Sequence, residues 1–296
     1  MQMKRLRRGL VAKALLIGCG VVFLLLLAAA LCVLSMISTS HPTETTPDHP
    51  FRSAEARQRY LAHYDRRAEE WPVPAETVLV ATPYGDTFVR ISRPGDAPPL
   101  VLLHAAGGHW LQWIPNIEAL SRHYRVYAID DITGRDLSVQ TLPLDDALDY
   151  MSWLASALDA LDLEGRCNML GLSYGGWQTA QFALRFPGRI NKAILLAPAG
   201  TVLPLRPEWM VRAALTALPR RVFTRSFLHC LLEDLAHTDD ARRELLDQSV
   251  DDADLARRSF KSLHLANPTV LSAAQWRSIH VPMLFMVGEN EKMYSA

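Results

Sequence analysis

An excess of charge of either sign is what this chain lacks. Its 31 Lys and Arg balance 31 Asp and Glu, giving a formal net charge of zero. No basic stripe interleaved with aromatics appears locally, so nothing argues for a nucleic-acid partner. Cysteine is scarce, with four residues in 296. Cys19 and Cys32 fall in an apolar run near the start, while Cys167 and Cys230 stand far apart and are not expected to meet. No C-x-x-C spacing is present, so no metal site is expected, and no motif calls for a cofactor. Internal repeats are lacking as well. Histidine is absent from the last stretch of the chain, since none follows His280.

The start is basic and then apolar. Lys4, Arg5, Arg7, Arg8 and Lys13 precede Ala14 to Ile37, a run of 24 residues without a charge. As a helix that run would reach about 36 Å, longer than a hydrocarbon core of about 30 Å. The flank after it, Ser38 to Phe51, has no Lys or Arg. This asymmetry predicts a single-pass membrane protein anchored through residues 14–37, its N-terminus cytoplasmic and the rest extracytoplasmic. A cleaved signal peptide is one alternative, although signal-peptide apolar regions are shorter. A lipoprotein-like site at Leu16-Ile17-Gly18-Cys19 is another. The expected organisation is a basic terminus and anchor over 1–37, a Thr- and Pro-rich linker over 38–50, and one globular domain over 51–296.

Within that domain the periodicity changes twice. Tyr60, Leu61, Tyr64, Ala68 and Trp71 recur at helical spacing over Ser53 to Trp71, which predicts an amphipathic helix. Thr77-Val78-Leu79-Val80 and Thr87-Phe88-Val89-Arg90 flank Pro83-Tyr84-Gly85-Asp86, a hairpin signal. Apolar strands then alternate with helices. The strands are Leu100 to Leu103, Tyr124 to Asp130, an apolar run ending at Leu172, Ala193 to Leu196, and Met283 to Val287, with a helix predicted over Asp145 to Leu161. Such near-continuous apolar strands imply a mostly parallel sheet with helices on both faces. From about residue 201 to 280 the strands stop and charged helical segments intervene, as expected of a helical cap.

The most informative stretch is Gly171-Leu172-Ser173-Tyr174-Gly175, where the apolar run meets a helical pattern. This is the G-x-S-x-G nucleophile elbow, a strand, a sharp turn and a helix that raise a serine hydroxyl above a sheet. Both flanking positions must be glycine because the chain nearly touches itself there. The competing reading is a Gly-rich turn with an idle serine. The elbow makes Ser173 a candidate nucleophile and the Tyr174 amide a candidate oxyanion donor.

Together with the strand ending in His104 and the one leading to Gly288-Glu289-Asn290-Glu291, the elbow resembles the α/β-hydrolase fold. The chain is similar to bacterial carboxylesterases related to naproxen esterase. Tyr64, Trp71-Pro72-Val73-Pro74, Ala97 to His104, Trp113 and Pro115-Asn116 carry the resemblance. It implies a Ser-Glu-His triad with Ser173 as nucleophile and Glu291 as acid; Glu289 is the fallback. The second oxyanion donor is expected in His104-Ala105-Ala106-Gly107-Gly108, at Ala106. Ala105 stands where the family has glycine. His104 is read as a structural histidine.

The triad order also calls for a histidine after Glu291. His280 precedes the last strand, at the wrong end for Ser173, and His264 in the cap is a remote candidate. The expectation is therefore a chain that lacks the last part of the fold and leaves Met283 to Val287 as an exposed edge. The function implied is a membrane-anchored serine hydrolase that cleaves small-molecule carboxylic esters through an acyl-enzyme on Ser173. The alternative is a catalytically dead hydrolase-fold binding protein. Trp209, Phe223, Phe227 and Trp276 would either wall the pocket or pack the cap.

Overall fold

The computed structural model describes residues 50–294 except Pro94, Pro219, Ser262, Leu263 and His264. The chain enters through α1 (Ala54–Ala68), whose N-terminus is capped by the Ser53 hydroxyl accepting from the Ala56 amide at 3.2 Å. Tyr60 and Tyr64 on this helix are buried, as the helical spacing predicts. Strands β1 (Ala75–Thr82) and β2 (Gly85–Ser92) form an antiparallel hairpin. Its two-residue turn, Pro83-Tyr84, hands over to Gly85 at φ +126°, a value side-chain-bearing residues rarely adopt.

Strand β3 (Pro99–Leu103) is followed by a 3-10 turn at Trp110–Trp113, α2 (Ile114–Ser121) and β4 (Arg125–Ile129). A two-residue strand, β5 (Val139–Gln140), pairs with β2. Then come α3 (Ala147–Ala160), β6 (Cys167–Leu172), α4 (Tyr174–Arg185) and β7 (Ile190–Leu196). Five helices separate β7 from the last strand. They are α5 (Pro207–Leu215), α6 (Arg221–Leu231), α7 (Glu233–Ala236), α8 (Asp240–Ser259) and α9 (Ala273–Ser278), with β8 (Met283–Met286) following.

The eight strands form one sheet in the order β1-β2-β4-β3-β6-β7-β8, with β5 beside β2. Pairing is antiparallel through the β2–β4 contact and parallel from β4 onward. Alternate strand residues feed two cores, as the pleat requires. Val101, Leu103, Tyr127, Ile129 and Met169 pack with Tyr150 to Leu158 of α3 and with Trp177 and Phe182 of α4. Leu100, Leu102, Val126, Ala128 and Leu170 pack on the other face with Tyr60 and Tyr64 of α1, Ile117 of α2, and Ala256 and Phe260. Helices therefore cover both faces.

Among the described residues β8 pairs with β7 alone, and Leu284, Phe285, Met286 and Val287 are all exposed. Cys167, at the start of β6, and Cys230, in α6, are free thiols.

One expectation is corrected. Among the described residues no helix is long and apolar enough to cross a membrane. The longest of them, α8, has 20 residues and is charged along its length. The span expected over residues 14–37 lies outside the described residues. The expected transmembrane helix and single-pass membrane location therefore find no support among the described residues.

Candidate active site

Ser173 stands between the end of β6 and the first residue of α4, with φ 53° and ψ −108°. That is the left-handed side of backbone space, strained for a residue with a side chain. Hydrogen bonds hold it there. The Ser173 amide donates to the Leu196 carbonyl at 2.8 Å. Its own carbonyl accepts from Trp177 at 3.1 Å and from Ala199 at 3.0 Å. The two glycines are required by close approach: a Cβ on Gly171 would overlap the Gly175 carbonyl, and one on Gly175 would overlap the Leu103 carbonyl.

Tyr174 opens α4, so its amide has no intrahelical acceptor. Across from it, the Gly175 amide donates to the His104 carbonyl at 3.1 Å, tying the elbow to the loop after β3. In that loop the Ala105 amide donates to Gln112 Oε1 at 3.0 Å and the Gly108 amide to the Ala105 carbonyl at 2.9 Å. Ala106 is exposed, and its amide has no partner among the described residues. The positive φ of this loop, +71°, falls on Gly107 rather than on Ala105, so the extra methyl of Ala105 meets no backbone strain.

His104 is buried with both ring nitrogens engaged. Nε2 accepts the Asp131 amide at 2.9 Å, so Nδ1 carries the proton and donates to the Ala105 carbonyl at 2.8 Å. His109 is buried too, and its Nδ1 accepts the Leu111 amide at 3.3 Å. Burial pulls its pKa down to about 4. His280 precedes β8, at the end of the parallel strands opposite Ser173, and is exposed. The remaining candidate, His264, lies outside the described residues.

Glu291 lies in the loop after β8. Its Oε1 accepts the Met293 amide at 2.7 Å, and its own amide donates to Gly288 at 3.2 Å. Glu289 is exposed. The Glu291 loop is fastened to the segment leaving β7 at three points: Ala197 amide to Met286 carbonyl at 2.7 Å, Arg206 amide to Met293 carbonyl at 2.9 Å, and Tyr294 hydroxyl to Pro198 carbonyl. Because Ala199 of that segment bonds Ser173, the Glu291 loop and the elbow share a support. Burial and the Glu291 charge push the Tyr294 phenol up to about 12. Tyr294 carries no sequence motif, and the sequence reading missed it.

One group among the described residues has the donor types of a metal centre: His104, Asp130 and Asp136, all buried, with ligand atoms within 4.8 Å of one another. The lone pair of His104 Nε2 is already taken by Asp131. Asp130 accepts from the Trp110 amide at 2.9 Å and the Tyr64 hydroxyl at 3.2 Å, and Asp136 from the Ser138 amide at 3.0 Å. The group works as a hydrogen-bond hub beneath the loops. Burial raises both carboxyl pKa values well above the usual range, and the neighbouring Asp136 charge adds to the rise at Asp130.

Of the aromatics in the insertion, Trp209 is buried and stacks on Phe227 with ring centres 4.6 Å apart. Trp276 packs edge-on against Phe285 at 5.5 Å. These are packing contacts among the helices and with β8.

Comparison with known proteins agrees with this architecture. Residues 98–279 match the family described as alpha/beta hydrolase fold. Carboxylesterase YbfK of Bacillus subtilis is 31% identical over 244 residues, 82% of this chain and 81% of its own. The uncharacterized carboxylesterase nap of the same organism is 34% identical over 236 residues, 80% of this chain and 77% of its own. The crystal structure of naproxen esterase from Bacillus subtilis superposes with a TM-score of 0.74 at 30% identity, covering 82% of this chain and 84% of that one. The elbow, the mixed sheet and these matches together establish that this chain is a hydrolase belonging to the α/β-hydrolase fold family.

Proposed function

We propose that this chain hydrolyses carboxylic esters of small molecules through an acyl-enzyme on Ser173. The observation that carries the reading is the backbone of Ser173, held at φ 53° between two glycines that admit no side chain. Strain of this kind persists only where the surroundings over-determine it, and an elbow needs it to expose the hydroxyl. The carboxylesterase names of the relatives over most of this chain support the same class of reaction.

In this reading Ser173 Oγ attacks the acyl carbon as a base removes its proton. The carbonyl oxygen becomes an oxyanion, accepting hydrogen bonds from the amides of Tyr174 and Ala106. Collapse of the tetrahedral intermediate breaks the ester C–O bond, and the protonated base gives its proton to the departing alcohol. Water then attacks the acyl-enzyme, releases the acid and restores Ser173. Glu291 orients the base, a role that fits its place on a loop sharing a support with the elbow. The histidines whose contacts are described serve elsewhere, so none of them is assigned as the base.

A fluorophosphonate probe together with p-nitrophenyl ester turnover tests the assignment. Wild-type protein is expected to be labelled and Ser173→Ala to be neither labelled nor active. Labelling that persists in Ser173→Ala would place the nucleophile on another residue and overturn the reading.

A further inference from the structure

The loop after β4 carries a cation, Arg135, that no carboxylate neutralises among the described residues. Arg135 lies at the end of the sheet where Ser173 stands, because β4, β3 and β6 run parallel. Its main-chain carbonyl is fixed by the Tyr60 hydroxyl at 2.9 Å. Tyr60 in turn meets Phe260 edge-on at 4.7 Å, just past the end of α8. Arg257, 7% exposed, is on the last turn of α8. Arg52 is exposed beside the same junction, its amide donating to the Ser259 carbonyl at 2.8 Å.

The charge balance around this junction is uneven. Asp254 pairs with Arg257 at 2.6 Å and with Arg258 at 2.7 Å. No carboxylate pairs with Arg135 or Arg52 among the described residues. The Nε atoms of Arg135 and Arg257 are both enclosed without a hydrogen-bond partner. Other arginines with an enclosed Nε have compensation: Arg90 stacks over Trp110 at 4.3 Å, and Arg189 pairs with Asp159 at 2.7 Å. Arg135 has neither. Burial, followed by the charges of Arg257 and Arg52, pulls its pKa down to about 10.

A half-buried guanidinium without a counter-charge is costly, and an unmade hydrogen bond at its enclosed Nε adds to the cost. The guanidinium fork, with Nε at one corner, suits the two oxygens of a carboxylate or phosphate. We infer that Arg135 and Arg257, with Arg52 at the rim, form an anion site that takes a carboxylate or phosphate group. The group comes either from an ester substrate that carries a second, free acid or from a free oxyanion.

The test begins with binding, on Ser173→Ala protein, so it does not depend on the ester-hydrolase reading. The protein is melted in sodium phosphate, sodium succinate and sodium chloride of matched ionic strength. Phosphate or succinate is expected to raise the melting temperature saturably above chloride, by about 3–6 °C at tenfold excess over Kd. Arg135→Met, added to the same background, is expected to melt higher than its parent in chloride, because it removes an uncompensated charge, and to lose the anion-dependent rise. Arg52→Gln, at the exposed rim, covers the case in which Arg135→Met does not fold; it is expected to weaken the anion several-fold. The proposal is overturned if neither anion gives a saturable rise. It is equally overturned if Arg135→Met melts lower in chloride and keeps the rise.

Turnover then separates the two sources. If the anion belongs to the substrate, Arg135→Met in otherwise wild-type protein raises KM for monomethyl succinate about tenfold and leaves dimethyl succinate unchanged, as loss of one charge-assisted contact would. If KM for both is unchanged while the melting shift stands, the occupant is a free oxyanion. This arm alone rests on the ester-hydrolase reading.

Discussion

Tyr174 donates its hydroxyl to the Ala266 carbonyl at 3.0 Å. The residue that follows Ser173 therefore also holds the chain as it returns from the helical insertion. Two more side chains on the same face of α4 extend the seam. Trp177 Nε1 donates to Thr269 Oγ1 at 3.4 Å, and Gln181 Nε2 to the same oxygen at 3.0 Å. Positions 174, 177 and 181 share a helix face because three to four residues make a turn. Ala266 and Leu271 are buried in the core cluster that contains Tyr174 and Trp177.

Tyr174→Phe keeps the ring and removes this bond together with the hydroxyl's contact with the Tyr150 phenol. Stability is expected to fall by about 1–2 kcal/mol in chemical denaturation. Hydrogen exchange over residues 265–271 is expected to quicken more than exchange over the strands. Uniform quickening, with no preference for that segment, would show that the phenol does not secure the return of the chain.

How much of this was legible beforehand differs from element to element. Strands β3, β4 and β6 announced themselves because both faces are buried, which demands near-unbroken apolar runs, and β7 did so through Ala193 to Leu196, buried on one face and half-buried on the other. The elbow was legible because its glycines answer to main-chain overlap, a constraint that leaves little choice of residue type. Strand β5 and the turn and helix over Trp110 to Ser121 were not. β5 has two residues, too few to show a period, and the helix begins at Ile114-Pro115 after a 3-10 turn with different spacing. Arg135 and Tyr294 were illegible for another reason. What marks them is a partner, or the want of one, far away in the chain, and local pattern carries no trace of that.

The buried imidazole of His109 predicts an acid-side loss of stability. Its pKa in the folded protein is near 4, lowered first by burial, against about 6.5 when unfolded. Between those values the unfolded chain binds the extra proton, so stability rises with pH and is lost as pH falls from about 6.5 toward 4. The full difference corresponds to roughly 3 kcal/mol. Asp252 acts in the same direction at lower pH. Although burial is the largest influence and raises its pKa, the His63 hydrogen bond and nearby cations outweigh it and hold the carboxyl below its ordinary value. Its contribution is present above the unfolded pKa and lost as pH falls through the folded one. Urea denaturation of wild type and His109→Gln from pH 7 to 4.5 checks the first claim. The variant is expected to show a shallower fall; parallel curves would remove His109 as the cause.

The open edge of β8 predicts self-association. Leu284, Phe285 and Met286 on β8 and Val287 just after it are 54%, 41%, 51% and 53% exposed, and among the described residues the strand is paired on one side only. An apolar edge with free main-chain donors and acceptors is a template for another strand. Sedimentation velocity of protein with this edge uncovered is expected to show concentration-dependent association. Replacing Leu284 and Met286 by Lys is expected to suppress it, because a charge on the edge must be desolvated before a second strand can pair. Both positions are exposed, so the change is expected to alter folding stability by no more than about 0.5 kcal/mol. The control is Leu79→Lys on β1, the opposite edge, where an exposed leucine also points to solvent. Should Leu79→Lys suppress association and the β8 changes leave it untouched, the adhesive edge is β1.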